Sequence, residues 1–235
     1  MSVVGSGSDG NCYILQDDKE ALIVECGCKP IEVKKALDFN VSKIVGAIAT
    51  HKHSDHANYV KDFEMMGVPV FTPYRDGGVA VTRRYGNFIV KAFPNKTLDG
   101  KWLHNNSDGS ECPCYGFWIY HKEMGKFVYA SDTECIVQRF KDINHFLIEA
   151  NYSQDLVDKD SVKFSHQIQG HMSLNTCCDF LQANKSDSLR TVTLCHLSST
   201  ASDSDAFRRK ARQTVGCEVG IATGGLVVNL SDSLF

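Results

Sequence analysis

Apolar positions fall into short dense blocks along most of the chain. Cys12 to Leu15 and Ala21 to Glu25 flank the charged segment Asp17-Asp18-Lys19-Glu20, a pattern that predicts a β-hairpin with a polar turn. Ile31, Val33, Ala36 and Leu37 recur at helical spacing and predict a helix over residues 31–39. Ile44 to Thr50 is a compact apolar run with polar flanks, as in a strand buried on both faces. A helix is predicted over 57–66, ended by Gly67, and a short strand over 68–72. The middle of the chain reads as strands over 88–93, 115–121, 127–130 and 145–149. Helices follow over 173–183 and 203–214, with a strand over 191–197 between them. Strands over 219–221 and 226–230 lie on either side of Gly224-Gly225. Strands in two batches, each interleaved with helices, imply a layered α/β architecture.

Composition narrows the class. Hydrophobic residues make up 43% and charged residues 23% of 235 positions, which excludes wholesale disorder and fibrous repeats. Residues 1–235 are read as a single domain. Lys and Arg number 25 against 28 Asp and Glu, a net charge of −3 that argues against a strongly basic nucleic-acid coat protein. A nuclease stays open, because a bound cation supplies positive charge locally. Arg208-Arg209-Lys210 reads as the wet face of a helix. No basic segment followed by an apolar run opens the sequence, and no apolar stretch is long enough to span a bilayer, so a soluble, cytoplasmic protein without membrane partners is expected. Most of the ten cysteines are expected to be reduced, buried and small-apolar in role.

Candidate chemistry is concentrated in His51-Lys52-His53-Ser54-Asp55-His56. This H-x-H-x-D-H segment follows the apolar strand at 44–50. In an extended strand exit His51 and His53 point the same way, so both can grip one ion. A turn after Ser54 lets Asp55 and His56 aim at a second ion. Imidazole and carboxylate ligands suit zinc, with manganese or iron as alternatives. Three of nine histidines within six positions, beside an aspartate, set this loop apart from ordinary polar surface.

The motif resembles the hallmark of the metallo-β-lactamase superfamily, and other segments follow in family order. Gly5-Ser6-Gly7-Ser8-Asp9-Gly10-Asn11-Cys12-Tyr13 is similar to the start of the YycJ-type branch. Ala21 to Gly27 resembles the strand that ends in D-x-G, with Glu25 replacing Asp. Ser131-Asp132-Thr133, Ile148-Glu149-Ala150-Asn151, Gly170-His171-Met172-Ser173 and Cys195-His196-Leu197-Ser198 resemble segments of the YycJ-type and tRNase Z-like proteins. The resemblance implies a four-layer αββα sandwich. It implies one metal held by His51, His53 and His104, with His121 as the alternative third ligand. A second metal would take Asp55, His56 and His196, with Asp132 bridging. It implies two zinc ions or manganese as cofactors, and places His171 over the metals to act on the substrate, with Ser173 orienting it. His145 and His166 receive no site role.

A dinuclear centre suits hydrolysis by a hydroxide shared between the ions. Asp55 as second-site ligand and the His171 motif favour phosphodiester cleavage, with Asp55, Asp132 and His171 as catalytic residues. The expected substrate is a small or cyclic nucleotide, or a nucleic-acid end. The resembling branch implies a homodimer, and a phage-borne enzyme acting in a bacterial or phage-infected cell would suit its size. Alternatives on the same fold are a lactonase or β-lactam hydrolase, and a non-catalytic metal-binding module.

Overall fold

The computed structural model describes residues 1–157 and 169–231. His166 lies outside them. Two β-sheets face each other. The first has five strands in sequential order: β1 (Ser2–Gly5), β2 (Cys12–Gln16), β3 (Ala21–Val24), β4 (Ile44–Ile48) and β5 (Val70–Phe71). The second has seven: β6 (Thr82–Tyr85), β7 (Phe88–Pro94), β8 (Tyr115–His121), β9 (Gly125–Ala130), β10 (His145–Glu149), β11 (Thr191–Cys195) and β12 (Glu218–Ile221), also in sequential order across the sheet.

Alternation of side chains builds three apolar layers from these strands. Tyr13, Leu15, Leu22, Val24 and Ile48 point inward and meet Val90, Phe117, Ile119, Phe127, Tyr129 and Leu147 from the second sheet. Ile14, Ile23 and Ala47 point outward beneath α1 (Pro30–Ala36) and α3 (Val60–Met65), which contribute Val33, Val60 and Phe63. Val128, Phe146, Ile148, Val192 and Leu194 lie beneath α4 (Leu174–Asn184) and α5 (Ser204–Val215), which contribute Cys177, Phe180, Leu181 and Phe207. The fold is the expected αββα sandwich, and burial on both faces explains the near-continuous apolar runs. All ten cysteines are free, and seven are buried.

Strand direction sets where chemistry can sit. β3, β4 and β5 run parallel, as do β9, β10, β11 and β12, so their carboxyl ends gather at one rim. The polar segments that follow β3, β4, β9, β10 and β11 all emerge there.

Several expected elements differ. The helix over 57–66 is two: α2 (Ser54–Ala57) begins inside the histidine motif, and α3 starts only at Val60. The His56 carbonyl accepts from Cys26 N and the Cys26 carbonyl from Tyr59 N, so backbone groups a continuous helix needs are engaged elsewhere. Residues 226–230 form only an isolated bridge, Val227 to Ser2, rather than a strand. The edge strands β1 and β6 were not expected; β6 reads Thr-Arg-Arg-Tyr and lacks an apolar block.

Candidate metal centre

Side chains scattered through the sequence converge at that rim. Ligand atoms of His51, His53 and His104 lie within 4.8 Å of one another, as do those of Asp55, His56 and His196, and those of His51, His56 and Asp132. All seven expected metal-site residues are therefore brought together. Asp132 lies between the groups, its Oδ2 2.8 Å from His56 Nε2 and its Oδ1 4.0 Å from His104 Nε2. The alternative His121 is not among them. It sits at the opposite end of β8, where its Nε2 is 2.9 Å from Glu20 and 3.7 Å from Asp17.

Three imidazoles have their proton positions fixed from behind. Thr50 Oγ1 lies 2.7 Å from Glu25 Oε1 and 2.9 Å from His51 Nδ1. Its single proton goes to the carboxylate, so His51 Nδ1–H must donate to it. His51 Nε2 is then a bare lone pair, buried and without a hydrogen-bond partner. Asn106 Nδ2 donates to the Glu111 carbonyl at 3.2 Å, which turns Oδ1 toward His53 Nε2 at 3.2 Å. His53 is thereby protonated on Nε2 and presents Nδ1 inward. His104 Nδ1 donates to the Gly170 carbonyl at 3.2 Å and presents Nε2 inward. His53 Nδ1 and His104 Nε2 face each other at 2.9 Å. Two lone pairs at that distance repel unless a positive centre lies between them. This donor set fits a divalent cation, and the partners behind it are the kind that orient metal ligands.

Charge around the second group is balanced the other way. His56 is flanked by Asp132, Asp55 at 3.2 Å and Glu25 at 3.2 Å. Burial works against its protonation, but the Asp132 and Glu25 carboxylates outweigh it and raise the His56 pKa well above the ordinary value. Burial likewise opposes His196, yet Asp132, Asp55 and Glu149 push it up to about 10. His51 and His104 go down, chiefly by burial, His104 to about 4. Burial would raise Asp132, but His196 and His56 hold it well below the carboxylate range.

His171 stands at the mouth, about one-fifth exposed, its Nδ1 2.7 Å from Glu149 Oε1 and 3.6 Å from Asp132 Oδ1. Glu149 is fully buried, and its Oε1 also lies 3.2 Å from His196 Nδ1. Ser173 Oγ instead accepts from Thr176 N and caps α4, and it does not line the site. His145, at the far end of β10, contacts Thr191 Oγ1 at 2.8 Å. The opening is a cavity of about 290 Å³ walled by Ser8, Asn105, Asn106, Ser107, Gly109 and Gln169.

The backbone at these strand ends is unusual. Glu25 and His196, each one residue past β3 or β11, and Asp132, two residues past β9, have φ of 70°, 55° and 53°. Left-handed conformations at non-glycine residues cost of order 1–3 kcal/mol each and concentrate at functional sites. Gly27 packs so closely that a Cβ there would lie 1.8 Å from the Asp55 carbonyl. Sequence reasoning missed the supporting residues Thr50, Asn106 and Glu149 as functional. A carboxylate ending the apolar block His145 to Glu149 was the available signal for the last.

Comparisons with known proteins agree with this geometry. Residues 5–64 match the family model described as metallo-beta-lactamase superfamily. Exodeoxyribonuclease YycJ of Bacillus anthracis is 25% identical over 178 residues, covering 67% of this chain and 64% of that protein. The chain thus spans under two thirds of that relative's length. The metallo-beta-lactamase fold protein YhfI of Bacillus subtilis superposes with a TM-score of 0.69 at 17% identity, covering 97% of this chain and 98% of that one. Human tRNase Z, short form, gives 0.60 at 14% identity, with 97% and 98% covered. The resemblance to the superfamily and the expectation of its fold are borne out.

Proposed function

We propose, from the chain's resemblance to the metallo-β-lactamase superfamily, that it is a dinuclear metal-dependent phosphodiesterase acting at the end of a nucleic-acid strand. His51, His53 and His104 would hold one ion and Asp55, His56 and His196 the other, with Asp132 shared. Zinc fits these ligands best, and manganese is the alternative. Bound divalent ions supply acidified water and neutralise charge growing on the phosphoryl oxygens.

The remaining work falls to the chain. Thr50, Asn106 and the Gly170 carbonyl hold three imidazoles in the tautomer that faces inward. Asp132 and Asp55 offset the positive charge gathered there. Displacement at phosphorus breaks the bond to the leaving oxygen, which needs a proton. His171 carries the reading: Glu149 fixes its Nδ1, leaving Nε2 at the mouth to hold that proton. The relative named as an exodeoxyribonuclease and the tRNase Z likeness support a nucleic-acid substrate over a lactone or β-lactam.

Product analysis on a panel of end-labelled single-stranded DNA, cyclic nucleotides, a lactone and a chromogenic β-lactam tests the substrate class. Mononucleotide release from DNA is expected; turnover of the lactam or lactone alone would overturn the reading. His171→Ala tests the proton's source. Loss should be about 10²–10⁴-fold on a strand with an alkoxide leaving group. It should be much smaller on bis-p-nitrophenyl phosphate, whose phenolate leaves unaided. Equal losses on both would remove His171 from that role.

A further inference from the structure

The apolar layer beneath helices α4 and α5 covers the β9–β12 half of the second sheet and reaches β7 and β8 at Phe93 and at the partly buried Trp118, beyond which β6, β7 and β8 leave a different surface. Register places Arg84, Ile89, Tyr120 and Lys126 in one cross-strand row, and Thr82, Lys91, Trp118 and Val128 in the next. The Trp118 and Tyr120 rings are stacked, 6.4 Å between centroids at 12°. Lys91 Nζ lies 5.5 Å from the Trp118 ring centre, and Tyr120 is 37% exposed. Arg84 and Lys91 are exposed and enter no ion pair among the described residues. A hollow of about 950 Å³ runs along this edge, lined in part by Arg83, Arg84, Lys91 and Trp118. Its acid, Asp76, is already held by Thr72 and Arg75, and Lys126 has Asp142 at 4.0 Å. A chain of net charge −3 has therefore gathered free cations around an aromatic stack. Charge on an edge strand guards against stray pairing, which accounts for Arg84. It does not account for two parallel rings with a lysine beside them.

We propose that this face is a track for single-stranded nucleic acid, bases stacking on Trp118 and Tyr120 and phosphates meeting Arg84, Lys91 and Lys126. Aromatic platforms flanked by cations bind single strands with little sequence preference. The proposal rests on the phosphodiesterase reading for its purpose: β8 leads from Tyr120 toward the metal centre. Cys114, four residues above Trp118 and about 13 Å away along an extended chain, has its Sγ 3.8 Å from His51 Nδ1. A strand lying on the track would have its end delivered to the cavity mouth.

Trp118 and Trp102 are the two tryptophans, so in a W102F background emission reports the track alone. Titrating metal-free protein with an oligothymidylate of about twenty residues should quench that emission saturably. Affinity should fall with salt, with a log–log slope of about −0.7 per phosphate contacted. Tyr120→Ala should weaken binding about 5- to 150-fold, the range for loss of one stacked base. The surface variant Arg84→Glu/Lys91→Glu, which touches no core residue, should weaken it at least tenfold and flatten the salt slope. Hydrolysis of bis-p-nitrophenyl phosphate by the metal-loaded variants should equal that of the parent. Absent quenching, or equal affinity in the charge variant, overturns the track. Absent hydrolysis with quenching intact overturns the phosphodiesterase reading instead, so the two failures are told apart.

Discussion

Thr50→Val tests whether metal affinity is set from behind the ligands. Thr50 is fully buried, and its hydroxyl links the Glu25 carboxylate to the His51 ring. Valine keeps the shape and removes the link. His51 Nδ1–H is then left with Cys114 Sγ at 3.8 Å, too weak an acceptor to replace oxygen. A buried donor left unsatisfied costs about 1–3 kcal/mol. For a chain of this size that lowers Tm by about 2–12 °C. The ring can relieve this by moving its proton to Nε2, which places hydrogen where the lone pair faces His53 and His104. Either way zinc affinity should fall about 10- to 100-fold, as for other partners of metal-bound imidazoles. Competition with a chromogenic chelator measures the affinity, and thermal unfolding in excess chelator measures the metal-free cost. Thr50→Ser restores the hydroxyl and should bind within a few-fold of the parent. A folded Thr50→Val protein that binds zinc as tightly as the parent would refute the tautomer reasoning.

Asn106→Ala removes the acceptor that fixes His53 and should weaken the same ion about tenfold, with Asn106→Asp, which keeps the oxygen, restoring most of it; chelator competition decides. At the opposite end of the sandwich, burial opposes ionisation of Glu20, but His121 and Asn87 outweigh it and hold its pKa below the ordinary value. A depressed folded-state pKa stabilises above the unfolded value and loses that stability as pH falls through the folded one. Glu20→Gln should therefore be less stable at pH 7 by about 1–3 kcal/mol. The gap should close in acid below about pH 4, and unfolding curves across pH 3–8 check the convergence.

Apolar blocks made most strands and both long helices legible, because burial on two faces leaves no room for polar interruptions. The H-x-H-x-D-H segment was legible because four candidate ligands, three histidines and an aspartate, crowd six positions at a strand exit. His104, Asp132 and His196 became readable only by their order along a family pattern, since nothing local marks them. The residues behind the ligands were not readable. Thr50, Asn106 and Glu149 act through contacts spanning up to 53 positions, and the left-handed backbone at Glu25, Asp132 and His196 leaves no mark in composition. Edge strand β6 was missed because its period is carried by arginines rather than apolar residues.

The most direct measurement is the number of ions this chain holds and whether hydrolysis follows that number. Purified protein titrated with zinc should bind two equivalents, with bis-p-nitrophenyl phosphate turnover rising as the second is filled, and Asp132→Ala should abolish turnover and weaken both sites. Binding of no more than one ion, or full activity in Asp132→Ala, would contradict a shared two-cation cage.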